Sequence, residues 1–318
     1  MTTFPTEQWQ SIGAAEAGFD PQKLTTIAAN LRENAGAEGR YRVVIVRGGR
    51  LIAEWYHGVE RDAQLRLASA TKSLFSSILG ILLAEGALPS ADAPLFDYYP
   101  EFMNVLEGTG PKPGRYAYPK DRTITFRQLI SNTSGYMKPG EEPGQVFNYQ
   151  TYGMNILTHA LAGLRGDYDS KDPEGSPGLR PLLDEKLRVP IGATWGYYRA
   201  NFALPPTARI NIFGYYDGVQ ASALDMARLG WLWCNWGNWA GKQIIPAAWL
   251  REATTVAPAI RPRAGARLVL WLCLLDQCRR PALADPAPRQ LCCLGRRQPA
   301  YLGLAQPGAG RGAKSGSL

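Results

Sequence analysis

Apolar positions are densest between Leu74 and Leu83, where Leu74, Phe75, Ile78, Leu79, Ile81, Leu82 and Leu83 recur at helical spacing before the run closes at Gly86. A helix apolar on most of its faces is one that a protein buries. Upstream, Phe19-Asp20-Pro21 opens another helix, with Asp20 as N-cap and Pro21 at the first helical position. Leu24, Ile27, Ala28 and Leu31 form its stripe, and Gly36 is its expected terminator. The β-branched and aromatic runs over 41–46 and 51–56, separated by Arg47-Gly48-Gly49-Arg50, predict a hairpin. Leu65-Arg66-Leu67 reads as a short strand leading into the apolar helix.

Further along, the pattern predicts a short capped helix over 124–130 that ends at Asn132-Thr133-Ser134-Gly135. A helix over 149–162 follows, with Ile156, Leu157, Ala160 and Leu161 as its apolar stripe, and another over 182–187 stopped by Pro190-Ile191-Gly192. Ser222 with Asp225 three residues on forms a capping-box start for a helix over 223–236, and Pro246 opens a last one over 247–254. Residues 107–121, rich in Gly, Pro and Lys, predict an exposed excursion. The outline is a strand pair, a long helical middle and a return to strand, with no internal repeat.

A chain of 318 residues, 45% of them hydrophobic, is enough for one large domain or two unequal subdomains. Residues 1–7 carry neither a basic nor an apolar signal region, and no apolar run is long enough to span a bilayer, so a soluble cytoplasmic protein is expected. The net charge of +8 is carried by residues 256–318, which hold nine Arg and one Lys against Asp276 and Asp285. These arginines are interleaved with Leu, Pro, Ala and Cys and form no helical stripe, which argues against a nucleic-acid arm. Four of the five cysteines fall in the same stretch. Cys273 and Cys278, followed by adjacent Cys292-Cys293 and no histidine, do not have a usual zinc-site spacing.

Candidate chemistry lies at the head of the apolar helix. Ser69 and Lys72, three residues apart, fall on one helix face within reach of each other. A serine hydroxyl needs an adjacent base to become a nucleophile, and a desolvated lysine of lowered pKa can supply one. The helix N-terminus offers N–H groups to a developing oxyanion. The competing reading is a capping serine beside a solvated lysine. His57 at a strand end and His159 on a helix read as structural or surface residues. No Gly-x-Ser-x-Gly elbow surrounds Ser69, which disfavours a Ser-His-Asp triad.

Six segments in order then carry a resemblance. They are the helix after Gly18-Phe19-Asp20, the hairpin, Ala68-Ser69-Ala70-Thr71-Lys72-Ser73, the segment 124–135, Pro143-Gly144-x-x-Phe147-x-Tyr149, and 223–230. Together they resemble the penicillin-recognising serine hydrolases: class C β-lactamases, D-alanyl-D-alanine peptidases, and related esterases and 6-aminohexanoate-oligomer hydrolases. The resemblance implies an α+β fold, with an antiparallel sheet flanked by helices. It implies a hydrolase domain over 1–255 with a helical subdomain inserted at roughly 70–210. It also implies Ser69 as nucleophile and Lys72 with Tyr149 as its proton-transfer partners, acting on a small ester or amide through an acyl-enzyme. The resemblance implies no metal or cofactor. Thr151, Tyr152 and Tyr215 are the expected substrate-binding residues. Tyr136, Trp195, Tyr197 and Tyr198 are further candidates to wall an apolar pocket.

Two departures qualify this. The family's Tyr-x-Asn motif reads Tyr149-Gln150-Thr151, and a threonine lacks the amide that holds an acylamide substrate. This favours an esterase or small-amide hydrolase over a β-lactamase or D-alanyl-D-alanine carboxypeptidase. The tail 256–318 does not read as the family's closing strands, so the C-terminal part of the sheet is expected to be incomplete. Lys314-Ser315-Gly316 matches the family's third motif in letters only, with two residues after it. The change in composition suggests a shift of reading frame near 256–270. With suitably chosen GC-rich codons, the stretch 288–303 recoded one nucleotide along can give a small-residue run followed by a strand-like one. The rival of another class is a truncated family member without turnover.

Overall fold

The computed structural model describes residues 2–34 and 39–255, and the backbone of 291–295. The first helix, α1 (Pro21–Glu33), starts as the sequence predicts: the Asp20 carboxylate accepts from the N–H groups of Gln22 at 2.8 Å and Lys23 at 3.3 Å. Of its predicted stripe only Leu24 is buried, against Val43 and Ile45, and Ile27 remains exposed. The helix ends at Glu33, and the predicted terminator Gly36 lies outside the described residues.

Strands β1 (Tyr41–Arg47) and β2 (Arg50–His57) form the predicted hairpin, in antiparallel register from Tyr41↔His57 to Arg47↔Arg50. Gly48 and Gly49 turn the chain with φ of 60° and 82°, values that a two-residue hairpin turn requires and that glycine adopts without strain. The register shifts at a bulge between Ile45 and Val46, and β1 is buried on both faces, Val44 and Val46 in the main core and Val43 and Ile45 against Leu24. The other edge of β1 is taken by β8 (Leu291–Gly295), antiparallel, with Val46↔Leu291 and Arg42↔Gly295. The C-terminal stretch therefore supplies one strand, against the expectation from its composition. Leu-Cys-Cys-Leu is a short apolar run that suits a sheet edge, and pairing satisfies backbone groups that β1 would otherwise present unpaired.

A second antiparallel sheet runs in the order β3 (Leu65–Arg66), β5 (Tyr216–Ala221), β4 (Gly196–Ala200). Neither β4 nor β5 is apparent from sequence periodicity. Arg42 connects the two sheets: it is buried on β1, and its guanidinium donates to the carbonyls of Ala63 at 3.1 Å and Ala221 at 2.6 Å.

Between and around the sheets lie the helices. The apolar run becomes α2 (Lys72–Ala84), buried from Lys72 to Leu82 as its all-round pattern demands. Two indoles bond to it inside the core: Trp249 Nε1 donates to the Ser76 carbonyl at 2.7 Å and Trp233 Nε1 to Ser77 Oγ at 3.1 Å. Around α2 lie α3 (Phe126–Ile130), α4 (Thr151–Gly163), α5 (Arg180–Leu183), continued by a π turn, and α6 (Ile210–Phe213). The predicted capping box of Ser222 with Asp225 opens α7 (Ala223–Cys234), and the predicted short capped helix α3 is opened by a second box, Thr125 with Gln128. A small hairpin of β6 (Asn238–Trp239) and β7 (Lys242–Gln243) precedes α8 (Ala247–Ala253), which packs on α2. The excursion over 107–121 is anchored by Asp121, which is fully buried and accepts from the N–H groups of Tyr118 and Met137 and from Lys120 Nζ.

Candidate active site

Ser69 lies in a one-turn 3-10 segment, Ala68–Thr71, between the end of β3 and the start of α2. Lys72 begins α2 and is 2% exposed. The three-residue spacing has its predicted effect: Lys72 Nζ donates to Ser69 Oγ at 2.8 Å. From the opposite side the Tyr149 hydroxyl meets the same oxygen at 2.8 Å. The serine hydroxyl is thus shared between an amine and a phenol.

Tyr149 reaches this position from outside the helix in which the sequence pattern puts it. Helix α4 begins at Thr151, and the chain before it is extended because Asn132 grips both neighbours of Tyr149. The Asn148 N–H donates to the Asn132 carbonyl at 2.9 Å, and the Gln150 N–H donates to Asn132 Oδ1 at 3.0 Å. Gln150 Nε2 adds a bond to the Tyr136 carbonyl at 2.8 Å. Asn132 has φ of 57°, a left-handed value that asparagine tolerates better than most residues. The segment 124–135 therefore serves the site by fixing the backbone on both sides of Tyr149.

Burial sets the electrostatics. Desolvation of the Lys72 ammonium lowers its pKa to about 8. Roughly one molecule in ten then carries a neutral amine at pH 7, against fewer than one in a thousand for an ordinary lysine. Lys72 Nζ also stands 5.4 Å from the Tyr149 ring centroid and 5.1 Å from that of Tyr216. Tyr216 donates its hydroxyl hydrogen to the Ala68 carbonyl, and burial pushes its phenol far above the usual range, so it keeps its proton.

Of the other predicted residues, Thr151 and Tyr152 open α4, both half-buried, with Tyr152 edge-on to Phe213 at 5.3 Å. Tyr215 is engaged elsewhere: its hydroxyl donates to Glu174 and its ring lies under the Arg199 guanidinium, 5.3 Å away. Tyr136 is fully buried and donates to the Phe102 carbonyl at 2.7 Å; Trp195 bonds to Tyr197, which in turn bonds to Asp184. Tyr198 stands beside Tyr216 and beneath Arg66. His159 is buried, with Nδ1 on the Ile212 carbonyl at 3.1 Å and its ring stacked on Tyr168, and His57 stacks on Tyr41 at the sheet end. Sequence reasoning missed Asn132 as a clasp and Tyr216 altogether. No periodicity marks Tyr216, because the strand that bears it is stabilised by pairing with β3 and β4. Cys273, Cys278, Cys292, Cys293 and the Lys314-Ser315-Gly316 match lie outside the residues whose side chains are described, as does the proposed frame shift. Among the described residues, no group of three or more His, Cys, Asp or Glu side chains could hold a metal ion. No described helix is long and apolar enough to cross a membrane.

A short helical turn leading into a buried helix, with an antiparallel sheet beside it, belongs to a known class of fold. Solved structures share it: a family VIII carboxylesterase (18% identity, TM-score 0.53, 74% of this chain and 75% of that one) and a penicillin-binding protein homologue from Caulobacter crescentus (17%, 0.52, 72% and 74%). The octameric penicillin-binding protein homologue from Pyrococcus abyssi is similar too (14%, 0.51, 74% and 60%). The β-lactamase family model matches residues 24–268, and the chain belongs to that family, whose members are serine hydrolases. A curated relative, β-lactamase-like protein 1 of Dictyostelium discoideum, is 34% identical over 109 residues. The match spans 32% of this chain but only 17% of that protein.

Proposed function

We propose that the protein is a serine hydrolase that cleaves a small ester or amide through an acyl-enzyme. The observation that carries this reading is the convergence of Lys72 Nζ and Tyr149 Oη on Ser69 Oγ, each at 2.8 Å. In acylation Ser69 Oγ bonds to the substrate carbonyl carbon while its proton passes to the neutral Lys72 amine or to a Tyr149 phenolate. The carbonyl π electrons collect on oxygen, where the Ser69 N–H is a donor. The tetrahedral intermediate collapses, the leaving alcohol or amine takes the proton, and the acyl group stays on Ser69. Water then attacks the acyl carbon, giving its proton to the same pair, and the carboxylate leaves as Ser69 recovers its hydrogen. Thr151 in place of an amide-bearing residue favours esters and small amides over β-lactams.

Intact mass after exposure to a fluorophosphonate tests the proposal, with Ser69→Ala alongside. A single adduct on the wild type, absent from the variant, is the expected result. A folded wild type that takes no label, or a variant that labels equally, refutes it. Parallel assays with p-nitrophenyl butyrate and a chromogenic cephalosporin then distinguish esterase from β-lactamase.

A further inference from the structure

We infer that Tyr216 is a positioning residue for the nucleophile turn: by holding the Ala68 carbonyl, it aims the Ser69 N–H at the oxyanion of the acylation step. The inference rests on the reading of Ser69 as nucleophile. It begins from Ala68, the residue before that serine, whose φ of 47° is a left-handed conformation that alanine adopts at a cost. Ala68 is exposed and its methyl group cannot hold that conformation. The hydroxyl of Tyr216 donates to the Ala68 carbonyl, and Tyr198, itself bonded to Tyr216, bonds to the Ala68 backbone as well.

The peptide that joins Ala68 to Ser69 is planar and trans, so its C=O and N–H point in opposite directions. Fixing the carbonyl therefore fixes the Ser69 N–H on the other side. A hydrogen bond to the carbonyl also polarises the peptide and strengthens its N–H as a donor. Tyr216 is itself well fixed. It is 4% exposed, its ring is met edge-on by Phe75 at 6.1 Å and flanked by Phe202 at 5.6 Å. The strand that bears it grips the same turn twice more: the Leu67 N–H donates to the Val219 carbonyl at 2.8 Å, and the Val219 N–H to Thr71 Oγ1 at 3.2 Å. Strand β5 thus holds the nucleophile turn before, at and after the strained residue. Burial keeps the Tyr216 phenol protonated, which suits a fixed donor and not a base.

The test is Tyr216→Phe in the full-length chain, which keeps the ring beside Lys72 and removes only the hydroxyl. The hydroxyl also bonds to Thr71 and Tyr198, so thermal melts accompany the kinetics, and the variant is expected to stay folded with a melting temperature within several degrees of wild type. With p-nitrophenyl butyrate the expected result is a 10- to 100-fold loss of kcat with KM within threefold. The rate of fluorophosphonate labelling, which also builds charge on an oxygen, should fall by a similar factor. The pH midpoint of kcat/KM should stay in place, because the ring that faces Lys72 is retained. Unchanged kcat, a loss confined to KM, or a midpoint moved by a full pH unit each overturns the positioning role. If wild type labels at Ser69 and Tyr216→Phe matches it, this inference alone fails. A wild type that neither labels nor hydrolyses removes the hydrolase reading, and the inference with it.

Discussion

Replacing Lys72 with methionine should stabilise the protein while abolishing the proposed hydrolysis. Lys72 is 2% exposed, and burial holds its pKa at about 8 against an ordinary value of 10.5. A depression of that size corresponds to about 3 kcal/mol against the charged form at neutral pH. The bond to Ser69 at 2.8 Å and the contacts with two aromatic rings return roughly 1–2 kcal/mol of this. Methionine has a similar unbranched shape and carries no charge. Ser69 and Tyr149 remain bonded to each other in the variant. The desolvation effect wins, by about 1–2 kcal/mol at pH 7. Urea melts of wild type and Lys72→Met measure this directly, and pH supplies an internal check. Between about 8 and 10.5 the unfolded lysine binds a proton that the folded one has lost, so wild-type stability rises with pH across that window and the gap to the variant narrows. A variant that unfolds at lower urea than wild type at pH 7, or a gap indifferent to pH, would refute the reasoning.

Two further outcomes follow from buried groups away from the site. Burial depresses the His159 pKa to about 4 from 6.5, so its contribution to stability is complete above 6.5 and is lost as pH falls towards 4. The loss should approach roughly 3 kcal/mol, seen as an acid limb in thermal melts that His159→Leu flattens. Gly80→Ala should lower the melting temperature despite alanine's better helix propensity, worth about 1 kcal/mol. A Cβ there would stand 2.1 Å from Trp249 Cδ1, displacing the indole that bonds to the Ser76 carbonyl. Calorimetry of the single variant decides between propensity and packing.

The hydrophobic pattern located those elements whose formation is local. Helix α2 is legible because it is apolar all round, the first hairpin because Gly-Gly separates two β-branched runs, and the capped starts of α3 and α7 because their reciprocal bonds lie within four residues. Ser69 and Lys72 are likewise read from spacing along one helical turn. Strands β4 and β5 are not, because their stability comes from pairing with each other and with β3, and half-buried Tyr-Tyr-Arg shows no alternation. Tyr149 was legible as a residue through family resemblance but not as a conformation: Asn132, eighteen positions before Gln150, draws the chain out of the helix. β8 was hidden because its apolar residues lie in an arginine- and proline-rich tail.

The pairing of β1 with β8 also orders events in time. Roughly 250 residues separate Val46 from Leu291, so β1 leaves the ribosome long before its partner strand exists. At common elongation rates the delay is on the order of tens of seconds, far longer than a hairpin takes to form. Throughout that interval one edge of the β1–β2 hairpin stands open as a template for any extended chain. The period in which a foreign strand can occupy the place of β8 is therefore set by the pace of translation rather than by the speed of folding.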